Sequence, residues 1–471
     1  MTVSPVRTRT APATTPADQL VREPRRYLVF AVVAVALFMA SVDQTIVATA
    51  LSTLQHDLHA QVNWSSWTIT IYALGQIMVM PLAGRISDQF GRRRVFIAAI
   101  VLFTVASLCC GLANDIYVLV ALRAVQALGG GAIMPSATGI VADQFGPDRD
   151  RAIGLFTSIF PIGGIVGPIL GGIFVTYWSW RGIFLVNVPI GIVVLLLAVA
   201  FIPHSEHRAR GRIDFPGVAM LGVGLLGVMF AVSYLGAANS SVLAPQFLLA
   251  LAAGAAGFIA FVRHAGHAHD PFIPLRLLRG SGFAVMNTIN FFFGVTVLGF
   301  ATLVPLYAQD RYGIDILAAG TLLTARAVGM IAVAGLSTFA LRRTGYRRPM
   351  FFGFVLCVIG LVFMAIPATG VSPYVWLAIA AGVMGLGMGV SVPATNNAIM
   401  HLAPADTGAI AGLRGMFRQG GGITGVAVVT AILARSADPG LAQAWSLVVL
   451  AVVLACLVPL IWLVPEHRGS W

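Results

Sequence analysis

Lysine is absent. All 29 basic residues are arginine, and charged residues of both signs make up only 10% of the 471-residue chain. A soluble protein of this length exposes far more charge. The positive excess contains no basic cluster interleaved with aromatics in a polar domain, which excludes a nucleic-acid-binding surface. Cysteine is scarce: Cys109, Cys110, Cys357 and Cys456 fall inside apolar runs, with no spacing that suggests a disulfide frame or a zinc site. No P-loop, HExxH or nucleophile elbow is present, which excludes ATP drive and the commoner hydrolases. The stretch HAGHAHD at 264–270 sits beside arginine and reads as a solvated linker. No metal, cofactor or enzymatic activity is expected. Residues 1–26 lack the short apolar core of a cleaved signal peptide.

What remains is apolar. Hydrophobic residues make up 58% of the chain and the mean hydropathy is +0.90. The 51 glycines and 24 prolines suit membrane helices, where both are common. Segments of about 20 apolar residues predict an all-α polytopic membrane protein. Its spans are read at 28–50, 64–84, 95–113, 116–142, 152–176, 183–202, 215–237, 244–263, 282–307, 316–340, 349–369, 374–400, 406–434 and 442–464.

Arginine sets the topology. With the N-terminus in the cytoplasm, the inside segments hold Arg7, Arg9, Arg22, Arg25, Arg26, Arg85, Arg92, Arg93, Arg94, Arg149, Arg151, Arg208, Arg210 and Arg212. They also hold Arg263, Arg276, Arg279, Arg342, Arg343, Arg347, Arg348 and Arg468. The outside segments hold only Arg181, Arg311 and Arg435. Such an asymmetry predicts fourteen helices with both termini cytoplasmic. Trp64, Trp67, Trp178, Trp180, Trp376 and Trp445 then fall near the outer interface as an aromatic belt.

An internal repeat divides the chain. Gly129, Gly131, Pro135, Gly154, Gly163, Gly164 and Gly167 recur 258 positions later as Gly387, Gly389, Pro393, Gly412, Gly421, Gly422 and Gly425. Spans 4 and 5 therefore correspond to spans 12 and 13. The expected organisation is a tail at 1–27, a six-helix half at 28–202, an inserted two-helix segment at 203–281, a second six-helix half at 282–464 and a tail at 465–471. Parallel repeats of this kind place a substrate site between the halves and alternate its access by rocking.

One carboxylate interrupts the first span. Asp43 is fifteen residues from Leu28, about 22 Å along a helix, and is the only acid well inside any span. A charge there costs at least about 2.5 kcal/mol. Arg123 is seven residues into the descending span 4, roughly 10 Å deep, so the two can pair. Such a carboxylate can carry a proton, and a permanent structural pair is the alternative. Arg326, Arg414 and Arg418 sit inside spans 10 and 13 with no matching acid, which makes one side of the cleft electropositive. Gln44, Tyr72, Gln76, Gln126, Asn287, Asn290, Phe291, Asn396, Asn397 and Gln419 join Arg326 and Arg418 as candidate cavity residues. Each is equally readable as interhelical glue.

Five motifs carry a family resemblance. GRISDQFGRRR at 84–94, RAVQALGGG at 123–131 and GGIVGPILGG at 163–172 resemble signatures of the major facilitator superfamily. VDQTIVATAL at 42–51 and WRGIFLVNVPIG at 180–191 resemble its fourteen-span drug:proton antiporter branch. The resemblance implies a major facilitator fold and proton-coupled multidrug efflux from the cytoplasmic membrane by a monomer. Its partners would be a small amphiphilic substrate, protons and the bilayer. A dedicated exporter of an endogenous lipid, antibiotic or metabolite is the alternative. The resemblance further implies that Asp88 and Arg92, with Gly84 and Gly91 permitting a tight connection, lock the halves. Gly163, Gly167, Pro168, Gly171 and Gly172 would then pack span 5 tightly enough to close a leak.

Overall fold

The computed structural model describes residues 16–60, 62–203, 214–235, 241–268, 271, 273–280, 282–367, 370–402, 407–433, 436 and 438–466, and the structural statements below concern these. Arg7, Arg9, Arg208, Arg210, Arg212, Arg435, Arg468, His269 and Asp270 lie outside them, as do the outer parts of both tails.

The described residues form helices and no strands. In chain order these are α1 (Pro16–Ile46), α2 (Leu51–Asp57), α3 (Val62–Phe90), α4 (Arg92–Gly111), α5 (Ile116–Phe145), α6 (Arg149–Thr157) and α7 (Ile159–Tyr177). They continue with α8 (Gly182–Leu185), α9 (Asn187–Phe201), α10 (Phe215–Leu235), α11 (Pro245–His267) and α12 (Leu275–Arg279). The last six are α13 (Phe283–Tyr312), α14 (Ile316–Thr344), α15 (Arg347–Ala365), α16 (Pro373–Met400), α17 (Thr407–Leu433) and α18 (Pro439–Leu457). Helix ends carry the expected signals. Asp115 accepts from the Tyr117 and Val118 N–H groups at the start of α5, and Asp438 accepts from Leu441 N–H at the start of α18. Proline opens α11, α16 and α18, where its missing N–H costs nothing.

Eleven helical stretches are long and apolar enough to cross a membrane, which makes the chain a multi-span helical membrane protein. One of them, Ile116–Tyr177, runs for 62 residues through α5, α6 and α7. Phe215–Ala231 is a shorter apolar helix, and α17, interrupted by Arg414 and Arg418, is not among the eleven. Large apolar residues such as Val105, Leu196, Leu336 and Phe352 face outward, as lipid contact requires. Polar side chains such as Asp43, Gln126 and Asn396 are buried.

Among the helices up to Phe201, α3 packs on α5, α4 on α5, α1 on α7 and α4 on α9. Among the helices from Phe283 on, α14 packs on α16, α15 on α16, α13 on α17 and α13 on α18. These two groups meet where α17 lies against α3 and α5, and where α6 lies against α14 and α16. The helices α10 and α11 pack on each other, and α10 also touches α3 and α17. His264 of α11 reaches Asp214 at 2.7 Å.

Trp180 is not part of an aromatic belt. It is 0% exposed, and its Nε1 donates to Asp57 Oδ2 at 3.0 Å, because a buried indole N–H needs an acceptor. Trp178 and Trp445 are exposed, as a belt requires.

Candidate functional site

Asp43 lies near the end of α1, one turn before the helix tightens into a 3₁₀ turn at Val47–Ala50. Its side chain is 0% exposed. Oδ2 accepts from Arg123 Nη1 at 2.7 Å. Oδ1 accepts from Gln126 Nε2 at 2.9 Å and from Asn187 Nδ2 at 2.8 Å. Three donors on two oxygens match an ionised carboxylate, which accepts and does not donate.

Arg123 is held as firmly. Its Nε donates to Thr68 O at 3.1 Å and its Nη1 also to Gln126 Oε1 at 2.7 Å. The guanidinium lies 4.0 Å from the Tyr72 ring centroid and 5.5 Å from that of Phe184, within cation–π range. Gln126 fills both of its roles here, since Nε2 also donates to Ser107 Oγ at 2.7 Å. Asp43 and Arg123 meet as their depths allow, and Gln126, a cavity candidate, bridges them. Asn187, Ser107 and Thr68 complete the site without standing among the candidates above. Asn187 lies in the WRGIFLVNVPIG motif as the one amide in an apolar helix, and that isolation was the available signal.

From Tyr72 a polar chain crosses to the second group of helices. Gln76 Nε2 donates to the Tyr72 hydroxyl at 3.1 Å, and Gln419 Nε2 of α17 donates to Gln76 Oε1 at 2.9 Å. Gln44 is half-buried beside Asp43, and Phe291, Arg326 and Arg418 are half-buried. Four candidates hold hydrogen bonds within the bundle. Asn287 Nδ2 donates to Leu277 O at 3.0 Å and Asn290 Nδ2 to Met286 O of its own helix at 2.7 Å. Asn396 Nδ2 donates to Thr157 Oγ1 at 2.8 Å, and Asn397 Nδ2 to Asp150 O at 3.0 Å. Buried amides take the nearest acceptor, and here that acceptor is backbone or a facing helix.

Those last two bonds belong to a latch at one end of the bundle. His401 Nε2 lies 2.7 Å from Asp150 Oδ2, and the Arg151 guanidinium is 3.9 Å from the Phe339 ring centroid. Tyr346 lies beside His401, with ring centroids 5.7 Å apart. Burial first, then the Asp150 carboxylate, holds the Tyr346 hydroxyl well above the ordinary tyrosine range, so it stays neutral.

At the same end, Asp88 Oδ1 accepts from Arg92 Nε at 3.2 Å and Nη2 at 3.1 Å, while Oδ2 accepts from Ala409 N–H at 3.0 Å. Ala409 is in the first turn of α17, where free N–H groups and the helix dipole favour an anion. Arg92 Nη1 also donates to Gly139 O at 2.6 Å and pairs with Asp143 Oδ1 at 2.6 Å. Gly91 has φ 99° and makes the turn between α3 and α4 alone. Gly84 is not in that connection: α3 runs on to Phe90, and Gly84 is where the Gly408 carbonyl of α17 touches it.

The span-5 glycines divide into two sets. Gly163 and Gly167 face α1 against Ser41 and Thr45, and Gly171 faces Thr49 in the 3₁₀ turn that follows it, so they seat the helix that carries Asp43. Gly164 and Gly172 face open space, and Pro168 is exposed. Gly167→Ala is therefore expected to lower the melting temperature, at a cost of about 1–3 kcal/mol for overpacking. Gly164→Ala and Gly172→Ala should melt like wild type in the same detergent, and equal losses at all three positions would contradict this packing.

A sequence profile of the Major Facilitator Superfamily matches residues 33–426 and, again, 289–470. The multidrug transporter protein MdtP of Bacillus subtilis is 27% identical over 423 residues, covering 88% of this chain and 77% of that protein. A multidrug resistance protein B homolog of Mycobacterium tuberculosis is 31% identical over 402 residues, covering 84% and 74%. Among solved structures, the human organic anion transporter MFSD10 superposes with a TM-score of 0.69 at 16% identity, covering 93% of this chain and 99% of that one. That likeness is one of fold.

Proposed function

The chain belongs to the Major Facilitator Superfamily, a family of transporters rather than enzymes, and on that premise we propose that it is a proton-coupled exporter of drug-like or amphiphilic compounds. It works by alternating access in the cell membrane. The names of its multidrug relatives support the cargo class. In this reading the chain has fourteen spans: Ile116–Tyr177 crosses twice, and Phe215–Leu235 and Thr407–Leu433 complete the set. Six spans at 28–202 and six at 282–464 form two halves around the inserted pair within 203–281, in a monomer with both termini cytoplasmic.

The arginine distribution puts the Asp88 and Asp150 latches in the cytoplasm. The conformation is then closed on that side, with Asp43 hydrogen-bonded as a carboxylate. Cargo has displaced the proton, and Asp43 awaits another from outside. Protonation of Asp43 breaks its ion pair with Arg123 and leaves the buried network with one net positive charge. Arg123 must then find other partners, and the Tyr72–Gln76–Gln419 chain carries that rearrangement to the opposite half. Asp88 leaving the first turn of α17 opens the cytoplasmic side. The observation that carries this reading is Asp43 itself: an acid 0% exposed, satisfied by one cation and two neutral amides. Such a group changes charge without unfolding its surroundings.

The test is transport by purified protein in proteoliposomes with cationic, neutral and anionic amphiphiles. A gradient of an accepted compound is expected to drive protons the opposite way. Cargo movement without proton flux would contradict antiport, and no movement of any compound would contradict transport.

A further inference from the structure

Arg326 of α14 and Arg414 and Arg418 of α17 gather beside α13 around Arg418, and none of them pairs with an acid among the described residues. Arg414 is 1% exposed, and its Nη1 has no hydrogen-bond partner among the described residues. The Nη1 of Arg326 is buried and unpartnered too. Arg418, one helical turn beyond Arg414, is close enough to repel both. The charged heads of Arg326 and Arg418 rest instead on aromatic faces, 5.9 Å from the Phe300 centroid and 5.6 Å from the Phe293 centroid. Those rings are seven residues apart on α13, so they form one stripe about 10 Å long. Arg326 is about 15 Å along α14 and Arg418 about 16 Å along α17, near the middle of the membrane.

A purely structural role does not account for this cluster. An apolar side chain of similar volume would fill the same space without mutual repulsion. Snorkelling to an interface would leave Arg414 exposed, and it is not. Asp43 is no counter-ion, since both its oxygens are engaged by Arg123, Gln126 and Asn187. Unpaired cations in a membrane interior mark a substrate path.

We propose that the missing negative charge arrives with the cargo, so that this cluster binds an organic anion: an aromatic amphiphile bearing a carboxylate or similar group. Its charged group sits between Arg414 and Arg418, and its apolar body extends past the half-buried side chains of Arg418 and Arg326, since Phe293 and Phe300 are already covered. The inference rests on the transport reading above and adds the charge of the cargo. The site adjoins the coupling chain, because Gln419 follows Arg418 and hydrogen-bonds Gln76. It also has an electrical consequence. A monoanion leaving for one entering proton moves two charges in the same electrical sense, a neutral compound moves one, and a monocation moves none.

The experiment compares 2-naphthoate, its neutral isostere 2-naphthamide and tetraphenylphosphonium on the full chain in nanodiscs and proteoliposomes. Naphthoate is expected to bind at least about tenfold tighter than the amide, the equivalent of one charge-assisted contact. An inside-negative potential should accelerate its export most. Arg414→Met and Arg418→Met should each lose that preference, keep amide binding, and melt no lower than wild type without ligand. Arg418→Lys should retain most of it. Equal binding of acid and amide by wild type overturns the anion site. So does a lower ligand-free melting temperature in the Met variants with the preference intact, since the arginines would then be structural. If the amide or the phosphonium is carried and naphthoate is not preferred, the anion site falls and the transport reading stands. If none of the three binds or moves, both fall.

Discussion

Asp43→Asn is expected to abolish proton-driven export while the protein still folds and inserts. Asparagine keeps the size of the side chain and one carbonyl oxygen for Arg123 Nη1, but it carries no exchangeable charge. Its amide resembles the protonated carboxyl that the proposed cycle already visits. In wild type, cargo and proton compete for the same state of the site. Cargo affinity should therefore rise with pH by up to about tenfold per unit, the limit for one exchanged proton. In Asp43→Asn that dependence should flatten, and a proton gradient should no longer concentrate cargo. Equilibrium binding measured across the acid-to-neutral range, with transport in the same vesicles, checks both. A variant that binds independently of pH yet still concentrates cargo against its gradient would place the proton elsewhere.

The second large effect concerns Arg123. Its head is bonded to Asp43, Gln126 and Thr68 and stacked on Tyr72. Arg123→Gln leaves the Asp43 charge buried without its cation, a loss of about 3–5 kcal/mol when one partner of a buried pair is removed. The double variant Asp43→Asn/Arg123→Gln removes both charges and should recover most of that stability. Thermal melting of the single and double variants in one detergent gives the coupling energy. Strict additivity would mean that the pair contributes nothing as a pair. Arg123→Lys should fall between, because an ammonium keeps the charge and loses the Nε bond to Thr68 O and the planar stacking.

Much of this site was readable in the sequence because charge inside a membrane is rare. One acid in an apolar run, one arginine at matching depth and a rise of about 1.5 Å per residue are enough to pair Asp43 with Arg123. The fourfold spacing of Gly163, Gly167 and Gly171 likewise announces a smooth helix face. What it touches was not readable, since the partner of a helix face is set by how the whole bundle folds. Only the structure seats those glycines on Ser41 and Thr45 of α1 and on Thr49 of the 3₁₀ turn beyond it. The same limit explains Asn187, whose amide meets Asp43 from a helix 144 positions away. It explains Gly84 as well, which reads as a turn residue and is an interhelical contact. Asn396 and Asn397 look like cavity lining in a polar pattern, yet they bond across to α6, because a buried amide is satisfied by whichever acceptor faces it. Trp180 reads as an interface tryptophan until Asp57 is found beside its N–H.

The most direct measurement of Asp43 as the point where cargo and proton exchange is proton release in weakly buffered detergent solution. An accepted compound is added to purified protein, and a pH indicator reports the protons released. Wild type should release up to one proton per bound compound, and Asp43→Asn none even at compound concentrations high enough to saturate its weaker binding. Equal release from both proteins would contradict that assignment.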